Sequence, residues 1–89
     1  MNTDMLMLDL AEANKHLENS LAEQRRLRDR SIECRALAAE AETIYERERR
    51  LCDAAVAHHM AEGMEATIHE QRQQVRALSA AIEGVSQWA

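Results

Sequence analysis

Proline and phenylalanine are absent from this 89-residue chain, and glycine occurs only at Gly63 and Gly84. One Trp and one Tyr are its only aromatic residues. A β-sandwich or barrel draws on β-branched and aromatic strands, with turn residues roughly every 8–12 positions. The chain has neither, which excludes an all-β fold. A βαβ nucleotide-binding fold needs Gly-rich turns between buried apolar strands, and the same shortage excludes it. No run approaches the ~18 consecutive apolar residues of a transmembrane helix. The stretch from Met1 to Leu10 carries Asp4 and Asp9 and no basic residue. It is therefore unlike a secretory signal peptide, and a cytoplasmic location is expected. Cys34 and Cys52 would stand about 27 Å apart on one continuous helix. A disulfide needs Cα atoms within about 7 Å, so reduced thiols are expected.

What the chain has is helix-forming residues. Ala, Glu, Lys, Leu and Arg make up 48 of the 89 positions, a composition typical of long helices and coiled coils. The expected class is all-α. Sixteen alanines match the sixteen Leu, Ile, Val and Phe residues combined. A chain this short buries roughly 60–65% of its unfolded surface, and here much of the apolar content is alanine. An isolated monomer is thus expected to be marginal. The net charge of −5 argues against sequence-independent nucleic-acid binding, which depends on Lys and Arg neutralising phosphates.

Helical periodicity runs from about Thr3 to Ala61, with Asn2 or Thr3 as cap and Asp4 in the first turn. An apolar stripe follows steps of three and four: Leu6, Leu10, Ala13, Leu17, Leu21, then Leu27, Ser31, Cys34, Leu37, Ala41, Ile44, Glu48, Leu51 and Ala55. Such alternation marks a coiled-coil seam. Gln24, Ser31 and Glu48 interrupt it, and polar seam residues can fix register at some cost in stability. Ser20 and Glu23 have capping-box spacing, which leaves a break near Asn19 and Ser20 open as an alternative. The reversal is placed at 62–66. Gly63 would end the first helix in a left-handed conformation, and Thr67 with Glu70 would cap a second helix over about 67–83. Gly84 would end that helix and leave 84–89 as a tail. The expected architecture is a long amino-terminal helix and a shorter carboxy-terminal helix in one domain. They would form an antiparallel αα-hairpin, in which Ile68, Gln71, Val75, Leu78 and Ile82 meet Met60, Val56, Leu51, Ile44 and Tyr45. Residues 5–40 would then have no intrachain partner. Leu6, Leu10, Leu17, Leu21, Leu27 and Leu37 become the expected oligomer interface, since each fully buried Leu contributes about 1.5–3 kcal/mol. A coiled-coil-like homo-oligomer is expected, with a dimer favoured.

Few groupings suggest chemistry. His58, Glu62 and His69 gather near the expected turn, but no His-x-x-x-His or Cys-x-x-Cys pair accompanies them, so no metal or other cofactor is expected. Arg49 and Arg50 neighbour Cys52, but no helix N-terminus or Gly-rich oxyanion turn accompanies that thiol. No catalytic residue is expected. Arg25, Arg26, Arg28 and Arg30 form one basic cluster, suited to salt bridges with Glu12, Glu18 or Glu23 of a neighbouring helix. Trp88 would either staple the hairpin or anchor a partner, as Trp often does at binding hot spots. These arginines and Trp88 are the candidate partner-binding residues. Met60 and Met64 would fill gaps beside the turn.

Tyr45, Leu51, the run from Glu62 and Gly63 through Ala66, Thr67 and Ile68, and then Val75 and Leu78 resemble a loose group of small helical proteins of tailed phages and prophages. The resemblance covers residues 45–82 and implies origin and shape, not an activity. The expected function is a non-enzymatic helical protein–protein interaction module, self-associating, that binds an unidentified host or phage protein. Two alternatives stand beside it. One is an acidic anti-defence inhibitor, of the anti-CRISPR kind, that mimics nucleic-acid charge. The other is a small architectural protein that binds nucleic acid through the arginine cluster.

Overall fold

A computed structural model describes residues 3–88. They form three helices: α1 over Asp4–Glu40, α2 over Ile44–Gly63 and α3 over Glu65–Trp88. No described residue is in a strand. The protein is an all-α helical hairpin. Asn2, one of the two caps expected for α1, lies outside the described residues; the Met7 N–H donates to the Thr3 carbonyl at 2.9 Å. Asn19 and Ser20 lie inside α1, which runs through them unbroken.

The reversal is at residues 41–43, twenty positions before the glycine expected to make it. The Ala41 N–H donates to the Ala38 carbonyl at 3.2 Å and tightens the last turn of α1. Thr43 then takes an extended conformation (φ −121°, ψ 154°), and its hydroxyl accepts from the Glu46 N–H at 3.1 Å. That bond satisfies one of the free donors at the start of α2, as an N-cap does. Thr43 and Glu46 have capping-box spacing, so the signal is in the sequence. It is masked because Ala41 and Glu42 favour helix and no Gly or Pro marks the break. The single helix expected over 3–61 is thus two helices.

Gly63 makes no turn. It ends α2, Met64 follows with right-handed angles (φ −81°, ψ −12°), and Glu65 opens α3. The Met64 N–H donates back to the carbonyls of Ala61 and Glu62. No described residue has a positive φ, so the left-handed stop expected at Gly63 does not occur. A one-residue junction with right-handed helical angles joins α2 to α3. Thr67 and Glu70 consequently lie inside α3 and are exposed, and Thr67 caps nothing. The helix also continues through Gly84 to Trp88, where a tail was expected, and Ala89 lies outside the described residues. Thr43→Ala should therefore cost about 1 kcal/mol, whereas Thr67→Ala should leave the thermal midpoint unchanged. Equal losses in the two variants, measured by circular dichroism melting, would contradict this cap assignment.

The chain divides into two compact units. The first contains residues 1–21 and 66–89, which are the amino-terminal part of α1 and nearly all of α3. Its core holds Ala13 and Ile68, exposed by 5% and 1%, with half-buried Leu6, Leu10, Leu17 and Leu21 of α1 and Gln71, Val75, Leu78 and Ile82 of α3. The second contains residues 22–65, which are the rest of α1, the turn and α2. Its core is a row of small and polar residues: Gln24, Leu27, Ser31, Cys34 and Ala38 on α1, and Ala54, Ala57 and Ala61 on α2. All are spaced by threes and fours, as a two-helix seam requires.

These partners overturn the expected hairpin pairing. α3 packs with the amino-terminal part of α1 rather than with α2, and Ile44, Tyr45, Leu51, Val56 and Met60 are exposed instead of opposing it. Residues 5–40 do have intrachain partners. Leu27 is buried, exposed by only 4%, while Leu6, Leu10, Leu17 and Leu21 are half-covered within their own unit. Leu37 is exposed by 39%, and its neighbour Ala38 takes the seam position that periodicity assigned to Leu37.

Candidate interaction surface

In the second unit, two polar side chains of α1 reach the backbone of α2. The Ser31 hydroxyl donates to the Ala54 carbonyl at 3.0 Å, and the Gln24 amide donates to the Ala61 carbonyl at 3.1 Å. The donors are seven positions apart on α1, and the acceptors are seven apart in the opposite order on α2. That order fixes an antiparallel register. A side chain as short as Ser31 reaches a carbonyl on the next helix because α2 offers only methyl groups on this seam, and seam side-chain size sets the interhelix distance. Both donors are almost fully buried, so each would be left costly and unsatisfied if the two helices moved apart. Glu48, the third polar residue expected on the seam, is exposed.

The Gln24 amide also donates to Glu65 Oε1 at 2.8 Å, and the same oxygen accepts from Arg28 at 2.8 Å. Arg28 and Glu65 thus form an ion pair within the unit. Arg26 grips Glu23, one turn earlier on α1, through two hydrogen bonds of 2.6 and 2.9 Å. Those bonds, with Coulomb attraction added, hold the Glu23 carboxyl below its ordinary pKa and raise that of Arg26. The stabilisation is present above the ordinary carboxylate pKa and fades as pH falls through the lowered one. The pair is open to solvent, so its contribution is small. Arg25 and Arg30 make no ion pair or hydrogen bond among the described residues. The cluster of four arginines is therefore half engaged and half free.

Beside this network lies an open groove of roughly 290 Å³. Leu27, Val56 and Met60 supply apolar walls, and Arg26, Arg30 and Asp53 stand around it. Val56 and Met60 are more than half exposed. On the other side of the same helix pair, Ala38, Ala39 and Leu51 form a shallower apolar depression flanked by Arg35 and Arg47. Ile44 and Tyr45, at the start of α2, are exposed by about three-quarters. In the first unit, Met5, Met7 and Leu8 are also exposed. A cleft there is lined by Asp9, Glu12, Ala13 and His16 of α1 and by Gln74 and Leu78 of α3. Trp88 is the last residue of α3, and its side chain lies outside those described.

The remaining reactive groups are separate from one another. His58 approaches Glu62 at 4.0 Å, His16 approaches Glu12 at 3.5 Å, and His69 contacts Gln73 at 3.2 Å. Among the described residues no three His, Cys, Asp or Glu side chains converge as a metal site. Cys34 is buried on the seam and Cys52 is exposed. No described helix is long and apolar enough to cross a membrane. The chain matches no protein-family model, no curated protein and no solved structure.

Sequence reasoning missed the groove. Val56 and Met60 were assigned to a core under α3, and Asp53 was given no role. The signal was present as apolar and charged residues at 53, 56 and 60, one helical face, but with the turn misplaced that face pointed at the wrong partner.

Proposed function

We propose that this protein is a non-enzymatic helical interaction module that works by self-association and by presenting helix faces to another protein. One observation carries the reading. Large apolar side chains stand open to water on both α1 and α2, among them Ile32, Ile44, Tyr45, Val56 and Met60. Leaving such groups in water forgoes burial energy that a second polypeptide would supply.

The arginine cluster supports protein contact over phosphate contact, because Arg26 and Arg28 already hold carboxylates of their own chain. A phage or prophage origin, with a host or phage protein as the eventual target, rests on the resemblance across residues 45–82 alone. Sedimentation velocity over micromolar concentrations tests the reading. The expected species has twice the 10.1 kDa mass of the chain. A monomer at every concentration would overturn self-association.

A further inference from the structure

We infer that a second copy of this chain occupies the groove between α1 and α2, with Val56 and Met60 of each copy seated over Leu27 of the other. The inference rests on the self-association proposed above and names its face. Two features select a second copy as occupant.

The first is charge. The groove carries both signs, Arg30 on α1 and Asp53 on α2, and neither makes an ion pair or hydrogen bond among the described residues of its own chain. A two-fold dimer brings the same patch of each copy together, so that residue i meets j while j meets i. Arg30 of each copy then faces Asp53 of the other, and the contact is made twice. The depression on the opposite side lacks this property. Arg35 and Arg47 flank it with no acid among its lining residues, so a second copy there would set like charges together.

The second is geometry. Two antiparallel helix pairs packed face to face make a four-helix bundle, whose core is filled by apolar residues from facing helices. Leu27, Val56 and Met60 supply such residues from both helices of the pair. Val56 and Met60, about half exposed in the single chain, become core residues in the pair.

A charge-swap mixing experiment tests the inference. Asp53→Arg sets position 53 of one copy against Arg30 of the other as two positive charges, and Arg30→Asp sets position 30 against Asp53 as two negative charges. Each variant alone should show dimerisation weakened at least tenfold by sedimentation velocity. Mixed in equal amounts they restore an opposite-charge pair at both contacts, and a heterodimer should reform. Circular dichroism verifies that each variant remains helical. A second variant, Val56→Gln with Met60→Gln, changes side chains already open to water. It should keep helicity and lose the dimer without rescue.

If the unaltered chain is monomeric throughout, both the self-association and this face are refuted. If it dimerises and the swapped variants dimerise equally well, this face alone is refuted. If the swapped variants fail to pair on mixing although each remains helical, the reciprocal Arg30–Asp53 contact is refuted.

Discussion

Ile68→Ala should destabilise the protein by about 2–5 kcal/mol, the range for truncating a buried Ile in a packed site. Ile68 is the largest fully buried side chain among the described residues, with 1% of its surface exposed. Its neighbours on the seam of α3 are only half-buried, so it supplies the best-shielded part of that unit's core. The loss belongs toward the lower end of the range, because a core between two helices relaxes more readily than one walled on every side. For a domain of this size each kcal/mol moves the melting midpoint by about 4–8 °C, so a fall of at least 8 °C or so is expected. Ile32→Ala is the matched control. Ile32 is 65% exposed, and its truncation should change stability by no more than about 0.5 kcal/mol. Equal effects in the two variants would show that α3 does not use Ile68 as its core residue.

Ala61→Leu should be nearly as damaging for the opposite reason. Ala61 is completely buried, and its carbonyl accepts the Gln24 amide. Added methylene groups on a tightly packed seam cost about 1–3 kcal/mol through strain. Driving the helices apart also separates Gln24 from the Ala61 carbonyl, one of its two acceptors, and a lost buried hydrogen bond adds about 1–3 kcal/mol. Together the two effects amount to roughly 2–5 kcal/mol, partly overlapping because both arise from one displacement. Urea denaturation measures the loss as a lower midpoint. Ala55→Leu places the same side chain on an exposed position of the same helix and should leave the midpoint nearly unchanged. If Ala61→Leu stabilised the protein, the close approach of α1 and α2 would be wrong.

Both predictions turn on alanine and on residue size. The stripe drawn from sequence followed the largest apolar residue at each step and so chose Leu37. The chain buries Ala38 instead and continues on α2 through Ala54, Ala57 and Ala61. Hydrophobicity ranks Leu above Ala, but at a close antiparallel contact the smaller residue admits the neighbouring backbone. Choosing Leu37 carried the stripe over the reversal at 41–43 and on to Ile44, Leu51 and Ala55. The cap formed by Thr43 was then passed over for Gly63, which carries the stronger turn signal in isolation. The polar residues were more legible. Gln24 and Ser31 were recognised as seam positions able to set register, and both reach carbonyls on α2. The groove residues Val56 and Met60 were read as apolar and in phase, with the wrong face opposite them.

Composition and periodicity by themselves determined that this protein is helical and that its helices are amphipathic along a three-four seam. Those properties are local: they follow from side-chain propensity and from the repeat of the helix. Where the chain reverses, and which face of α2 is left open, were decided only in the tertiary structure. A helix of Ala, Glu and Arg is nearly as stable straight as interrupted, so the choice falls to contacts between residues far apart in sequence. The bonds from Gln24 to Ala61 and from Ser31 to Ala54 span 37 and 23 positions. They exist only when the chain has already turned at Thr43.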